Sequence, residues 1–143
     1  MKKTLLIAGV GVLLLLSPLV TKIPAINKRL DGPGFCGACH VMESWVDTWV
    51  HSAHMQAASC SDCHIPHDMV RGAYYKAYVG SRDVIEMILG NWPTPIKLSH
   101  HGGVVTQENC YRCHETLLEP TNETPQGKTR NCWDCHRNTP HSL

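Results

Sequence analysis

The sequence predicts a mainly α-helical fold with extensive loops and no ordinary apolar core, and three observations predict it. All eight cysteines fall in four copies of one pentapeptide: Cys36-Gly-Ala-Cys39-His40, Cys60-Ser-Asp-Cys63-His64, Cys110-Tyr-Arg-Cys113-His114 and Cys132-Trp-Asp-Cys135-His136. The stretch that carries them, Asp31 to Leu143, provides about 28 residues per copy, and a chain so short buries too little surface for a large interior. The third observation is the scarcity of core-forming side chains, with one Phe in the chain and few long aliphatic runs after residue 30.

The pentapeptide has a chemistry. Two thiols three residues apart can each add to one vinyl group of a porphyrin, and the histidine that follows falls below the iron as axial ligand. A disulfide framework or a set of structural zinc sites does not need a histidine after every second cysteine. Four copies that leave no cysteine over therefore predict four covalently bound haem c groups. The haems themselves would form the core, with short helices and loops wrapped over them. With so little protein between them, the macrocycles should lie nearly edge to edge, an arrangement suited to conducting electrons rather than shaping a substrate pocket. The net charge of +1 gives no indication of nucleic-acid binding.

Haem is attached to such motifs outside the bacterial cytoplasm, which places Cys36 to His136 on the outer side of a membrane. At the N-terminus Met1-Lys2-Lys3 precedes the apolar stretch Thr4–Val20. A cleavable signal peptide and a retained anchor both begin this way. No small-x-small site directly follows the stretch, which continues as Thr21-Lys22-Ile23-Pro24-Ala25-Ile26. Counting to Ile26, with Lys22 reaching back to the interface, the length suffices for one span. The expected organisation is a transmembrane anchor over residues 1–26 and a tetrahaem domain over residues 27–143.

The motifs start at 36, 60, 110 and 132, two pairs with a longer insert between them. Asp62-Cys63-His64-Ile65-Pro66-His67 and Asp134-Cys135-His136-Arg137-Asn138-Thr139-Pro140-His141 also read alike, which points to a duplicated dihaem unit. Spacing places Val46, Val50 and His54 on one helix face. Asp68 is expected to cap a helix over Met69–Val79, and Ser81 a second over Arg82–Leu89 that stops at Gly90. Asn91-Trp92-Pro93-Thr94-Pro95 and residues 119–128 read as loops, and His101-Gly102-Gly103 as a flexible turn.

Of ten histidines, four belong to the motifs; the others are His51, His54, His67, His100, His101 and His141. Four irons with two histidines each would take eight. His67 and His141 stand out, each following its motif behind a proline that fixes the backbone, and His54 precedes Cys60 by six residues. The first motif differs, because Met42 offers a thioether two residues past His40; core filler is the alternative role.

The chain resembles the NapC/NirT family of membrane-anchored tetrahaem cytochromes, and within it the branch formed by the small subunits of cytochrome c nitrite reductase. The resemblance rests on Phe35-Cys36, Cys39-His40-Val41-Met42, Cys60, Cys63-His64-Ile65-Pro66-His67, Lys76-Ala77, Gly80-Ser81-Arg82-Asp83-Val84 and Cys135 to His141. It implies that Met42 binds the first iron, with Asp83 near its open face. It implies three crossed histidine pairs: His64 with His141 at the second haem, His114 with His54 at the third, and His136 with His67 at the fourth. Whether His40 or Met42 binds the first iron stays open.

It implies, further, oxidation of membrane menaquinol near the first haem and delivery of electrons to a periplasmic multihaem catalytic subunit of the NrfA kind. The location implied is the bacterial cytoplasmic membrane, with the haem domain on the periplasmic side. Gly72, Lys76, Gly80 and Asp83 share one helical stripe, on which Lys76 would bind a quinol oxygen and Asp83 accept its proton. A solvated Lys–Asp face is the plain alternative, and Tyr74, Tyr75 and Tyr78 suit a membrane interface beside the stripe. Competing functional expectations are a donor to a nitrate reductase or a hydroxylamine-processing enzyme, and a freely diffusing tetrahaem shuttle. Reduction of nitrite by this chain itself is not expected, since few residues remain to build a pocket.

Overall fold

The computed structural model describes residue 9, residues 24–118 and residues 130–141. Among the described residues all regular structure is helical. In chain order it comprises α1 (Pro24–Leu30), α2 (Pro33–Cys36), a 3₁₀ turn (His40–Met42), α3 (Glu43–Val50), a second 3₁₀ turn (Ala53–Gln56), α4 (Cys60–His64), α5 (Met69–Leu89), α6 (His100–Leu118) and α7 (Cys132–Cys135). Among the described residues no helix is long and apolar enough to cross a membrane. The stretch Thr4–Val20, Gly9 apart, lies outside them, as do residues 119–128.

Two long helices organise the short ones. Helix α5 starts where Asp68 accepts hydrogen bonds from the Val70 and Arg71 backbone N–H groups, at 3.0 and 2.7 Å. This is ordinary N-cap chemistry, satisfying donors that the first turn leaves unpaired. It ends at Gly90, whose φ of +66° closes the helix in the left-handed region that glycine tolerates. The two helices expected here are one. Gly80-Ser81 sits in the interior, and an added side chain at Gly80 would meet open space. The Arg82–Glu86 pair, 2.7 Å apart at i,i+4, supports the turns that follow.

Helix α6 also overrides the expected turn. Ser99 Oγ accepts from the Gly102 N–H at 3.0 Å, and the helix runs straight through Gly102-Gly103. His54 leaves the Val46–Val50 face, because α3 stops at Val50 and His54 stands in the second 3₁₀ turn.

Buried side chains are few among the described residues: Pro66, Tyr75 of α5 and Val105 of α6 are the apolar ones, and Thr106, Gln107 and Asn109 of α6 the polar ones. An apolar interior of that size does not hold a domain together on its own. The fold is knit instead by side chain to backbone hydrogen bonds radiating from α6. Asn109 Nδ2 donates to the carbonyls of Cys63 and Ile65, both at 2.9 Å, tying the second motif to the helix that carries the third. The Gln107 side-chain oxygen accepts from the Cys132 N–H at 2.9 Å, tying the fourth motif to the same helix. Gly72 lets α5 run against the Pro66 carbonyl, where a side chain would collide with backbone.

Candidate functional site

Three pentapeptides begin at the end or start of a short helix, the third lies within α6, and the local sequence explains two of the four. In α4 the Asp62 carboxylate accepts from the Ser59 N–H at 2.8 Å, and in α7 the Asp134 carboxylate accepts from the Asn131 N–H at 2.8 Å. The Asp preceding the second cysteine of each motif is thus the third helical residue reaching back to the cap. The resemblance between these two motifs is a resemblance of helix starts. Burial pushes the Asp62 carboxyl up, but bonds from Ser59 and the nearby charges of His67 and Arg112 outweigh it, leaving it below its ordinary value.

The thiols fall into neighbouring groups. Cys36 lies against Cys60, which hydrogen-bonds to it and brings it down to about 7, against the upward effect of burial; Lys76 also lowers it and Asp31 raises it. Cys60 is driven up by the same bond and by burial. Cys63 is raised by burial, with Asp62 and Cys113 adding to the effect. Cys110, held up to about 12 chiefly by burial, sits beside Cys132 and within electrostatic reach of Cys63. The first motif thus meets the second at Cys36 and Cys60, the third meets the fourth at Cys110 and Cys132, and the second lies within electrostatic reach of the third. None of the eight cysteines is in a disulfide.

Histidines from distant parts of the chain face each other in two places. His64 and His141 stack with ring centres 6.3 Å apart and planes 26° apart. His54 and His114 stand 6.2 Å apart with planes 70° apart. One metal ion held between two imidazoles needs about 2 Å of bond on each side plus roughly 1 Å from each nitrogen to its ring centre, or about 6 Å in all. Both pairs have that separation, so they fit a haem iron with two histidine ligands.

The surroundings of the first pair suit the role. His141 Nδ1–H donates to the Trp45 carbonyl at 2.9 Å and lies 3.3 Å from Thr48 Oγ1, which leaves Nε2 with its lone pair free. Burial, and then His141, lower His64 to about 4, and burial lowers His141 against the effect of the Trp45 carbonyl. Both rings are therefore held neutral, the form that binds a metal. His54 Nδ1 is buried without a hydrogen-bond partner.

The remaining expected residues are placed differently. His67 Nε2 accepts from Arg112 at 2.8 Å and lies 3.2 Å from the Asp62 carbonyl, and the structure makes no ring contact between it and His136. His40 points outward to Glu43 at 3.3 Å, while Met42 is half-buried at the start of α3. His51 bonds back to the Asp47 carbonyl, and His101 packs edge-on against Tyr75 at 5.0 Å. No group of three or more metal-binding side chains occurs among the described residues.

On α5, Lys76 does not pair with Asp83; its ammonium donates to the Asp31 carboxylate at the end of α1. Asp83 is raised by partial burial, which Glu86 reinforces and Arg82 opposes. Asp31, Gln107, Asn109 and Arg112 were absent from the sequence reading. Only Asp31 carries a sequence signal, as a lone carboxylate five residues ahead of the first cysteine.

Comparison with known proteins places this geometry. The profile of the NapC/NirT cytochrome c family, N-terminal region, matches residues 1–143. The chain belongs to the NapC/NirT cytochrome c family. Among family relatives, the cytochrome c-type protein NrfH of Wolinella succinogenes is 37% identical over 134 residues, covering 86% of this chain and 76% of its own. The cytochrome c nitrite reductase subunit NrfH of Nitratidesulfovibrio vulgaris is 35% identical over 114 residues, covering 80% and 70%. A chain in the crystal structure of the cytochrome c nitrite reductase NrfHA complex bound to the HQNO inhibitor superposes with a TM-score of 0.72 at 32% identity, covering 95% of this chain and 90% of that one. As a c-type cytochrome of this family, the protein carries covalently bound haem c through its CxxCH cysteines.

Proposed function

We propose that the chain is the quinol-oxidising electron-transfer subunit of an ammonia-forming cytochrome c nitrite reductase. It is anchored by residues 1–26 in the bacterial cytoplasmic membrane, with residues 27–143 on the periplasmic side. Its substrate is menaquinol, and its partner is a periplasmic multihaem catalytic subunit of the NrfA kind. The observation that carries this reading is the placing of the attachment motifs in chain order: Cys36 lies against Cys60, and α6, which bears Cys110, is bonded to the second motif through Asn109 and to the fourth through Gln107. A series of redox centres with two ends fits a subunit that receives electrons at one place and hands them on at another. The relatives named above, both NrfH proteins, point to the same complex.

Four haem c groups, when bound, supply one-electron chemistry. The chain's residues divide into those that hold the cofactors and those that handle protons. Cys36 and Cys39, Cys60 and Cys63, Cys110 and Cys113, and Cys132 and Cys135 attach them. Met42 is the side-chain ligand at the first, with His40 exposed and turned to Glu43. His64 and His141 hold the second, and His114 and His54 the third, supported by their facing rings. His136 and His67 hold the fourth, with Arg112 as the hydrogen-bond donor that His67 must exchange.

Menaquinol releases two protons with its two electrons. Lys76 donates a hydrogen bond from Nζ to a quinol oxygen, Asp83 accepts one of the two protons at its carboxylate, and the other leaves to water at this exposed part of α5. The raised pKa of Asp83 brings its proton affinity closer to the working pH range. The test uses the haem-loaded protein in its membrane. Lys76→Leu and Asp83→Asn should slow haem reduction by a menaquinol analogue by about 10²–10⁴-fold, the range for a positioned proton-transfer group. Reduction of all four haems by dithionite should be unchanged. Wild-type rates in both variants would overturn the assignment.

A further inference from the structure

Lys76 has a fixed partner. Its Nζ donates to Asp31 Oδ1, and both side chains are only about a quarter to a third exposed. Asp31 is fixed in turn through its backbone, whose carbonyl accepts from the Ser61 N–H of α4 at 3.2 Å. The pair therefore joins three elements: the end of α1, the middle of α5 and the helix of the second motif. It also sits beside the first motif, since the Cys36 thiol feels Lys76 and Asp31 with opposite sign. An ammonium group has three donors. Asp31 takes one of them, and two remain for a ligand. An unpaired lysine on a flexible four-carbon stem would sample many positions.

We infer that Asp31 is a positioning residue for quinol binding: it holds the Lys76 ammonium beside the first haem-attachment site, with its other N–H donors presented to the quinol oxygen. This rests on the reading of Lys76 as the quinol-binding cation. Asp31 acts through Lys76 and takes no proton itself. Asp83 has its own neighbours in Arg82 and Glu86, so the two carboxylates do separate work.

Asp31→Asn is a suitable probe, because asparagine keeps the shape and the backbone bond to Ser61 and loses only the charge. The experiment titrates the haem-loaded, membrane-bound protein with HQNO, following quenching of its fluorescence, and measures KM for a menaquinol analogue in parallel. Asp31→Asn should weaken HQNO binding by about tenfold, the coupling expected for two groups in direct contact. KM should rise in step, with dithionite reduction unaffected. Asp31→Glu should recover part of the affinity. The double variant Asp31→Asn with Lys76→Leu should bind no more weakly than Lys76→Leu alone.

Wild-type affinity in Asp31→Asn, with weakened binding in Lys76→Leu, would overturn the role of Asp31 and leave the quinol site standing. Additive losses in the double variant would equally overturn it, since Asp31 would then act independently of Lys76. Wild-type affinity in Lys76→Leu would remove the quinol site itself and this inference with it. Should Asp31→Asn fail to mature, Asp31→Ser removes the same charge and its affinity decides the matter in the same way.

Discussion

Asn109 makes the most exposed quantitative claim of the fold. It is buried on α6, and its single amide donates two hydrogen bonds, at 2.9 Å each, to the Cys63 and Ile65 carbonyls at the end of α4. In Asn109→Ala both carbonyls lose their donor. An unsatisfied buried polar group costs about 1–3 kcal/mol, and partial hydration of a half-buried segment takes the lower part of that range for each carbonyl. The expected loss is about 2–3 kcal/mol. A domain of 117 residues falls between the sizes that move by roughly 4–8 °C and by roughly 2–4 °C per kcal/mol, so at roughly 4 °C per kcal/mol the melting temperature should fall by about 8–12 °C. Asn109→Asp has nearly the same volume but sets acceptor oxygens against two carbonyls, and should be at least as damaging. Glu108→Ala is the control. It removes only the Arg71–Glu108 ion pair, 3.0 Å apart near the surface, which is worth about 0–1 kcal/mol. Thermal unfolding of the haem-loaded protein, followed by far-ultraviolet ellipticity and the Soret band, measures all three. A shift below about 2 °C in Asn109→Ala, or a milder effect in Asn109→Asp, would refute the view that polar bonds from α6 hold the motifs in place.

Two further outcomes follow from the site. His141→Ala should remove one axial ligand and convert one haem of four from low-spin to high-spin, seen by magnetic circular dichroism. His101→Ala, whose ring meets Tyr75 instead, should leave the spectrum unchanged. Partial burial holds Asp83 above the usual carboxylate value of 3.8, so it takes up its proton at a higher pH than a free aspartate. Quinol oxidation should therefore fall as pH drops through a limb centred above 3.8, and Asp83→Asn should lack that limb. The sign for stability is opposite to that of a salt-bridged carboxylate: with the folded value raised, Asp83 favours the folded state below 3.8 and loses that contribution as pH rises through its folded value.

The cofactor chemistry was legible because it is written in contiguous residues. Four CxxCH runs are local, and so are the Asp68 cap, the Gly90 stop, and the Asp62 and Asp134 carboxylates that start α4 and α7. The loop Asn91–Pro95 was legible for the same reason. Local rules misled where tertiary packing won. Gly80-Ser81 and Gly102-Gly103 read as breaks, yet both lie inside helices. A glycine costs only about 1 kcal/mol within a helix, and Gly102 sits where a side chain would press on Ser99 Oγ at 3.2 Å and on Leu98 at 3.4 Å. His54 was assigned to a helix face by periodicity, but α3 ends four residues before it. The pairing of His64 with His141 came only from family resemblance, since no spacing rule links residues so far apart.

The polar ties were not legible, and their arrangement shows why they matter. Gln107 and Asn109 are ordinary amides, and nothing in the sequence says that one meets Cys132 and the other Cys63 and Ile65. They stand two residues apart on α6. At about 100° per residue their side chains diverge by roughly 200°, onto opposite sides of the helix. One side therefore takes the second motif and the other the fourth, while the third motif begins at Cys110 on the same helix, between them. An amide pair at i and i+2 thus turns a chain order of second, third, fourth into a spatial order of the same kind, with Cys63 and Cys132 both brought to Cys110. Had the two amides stood at i and i+4, they would have shared a face, and the second and fourth motifs would have competed for one side of α6.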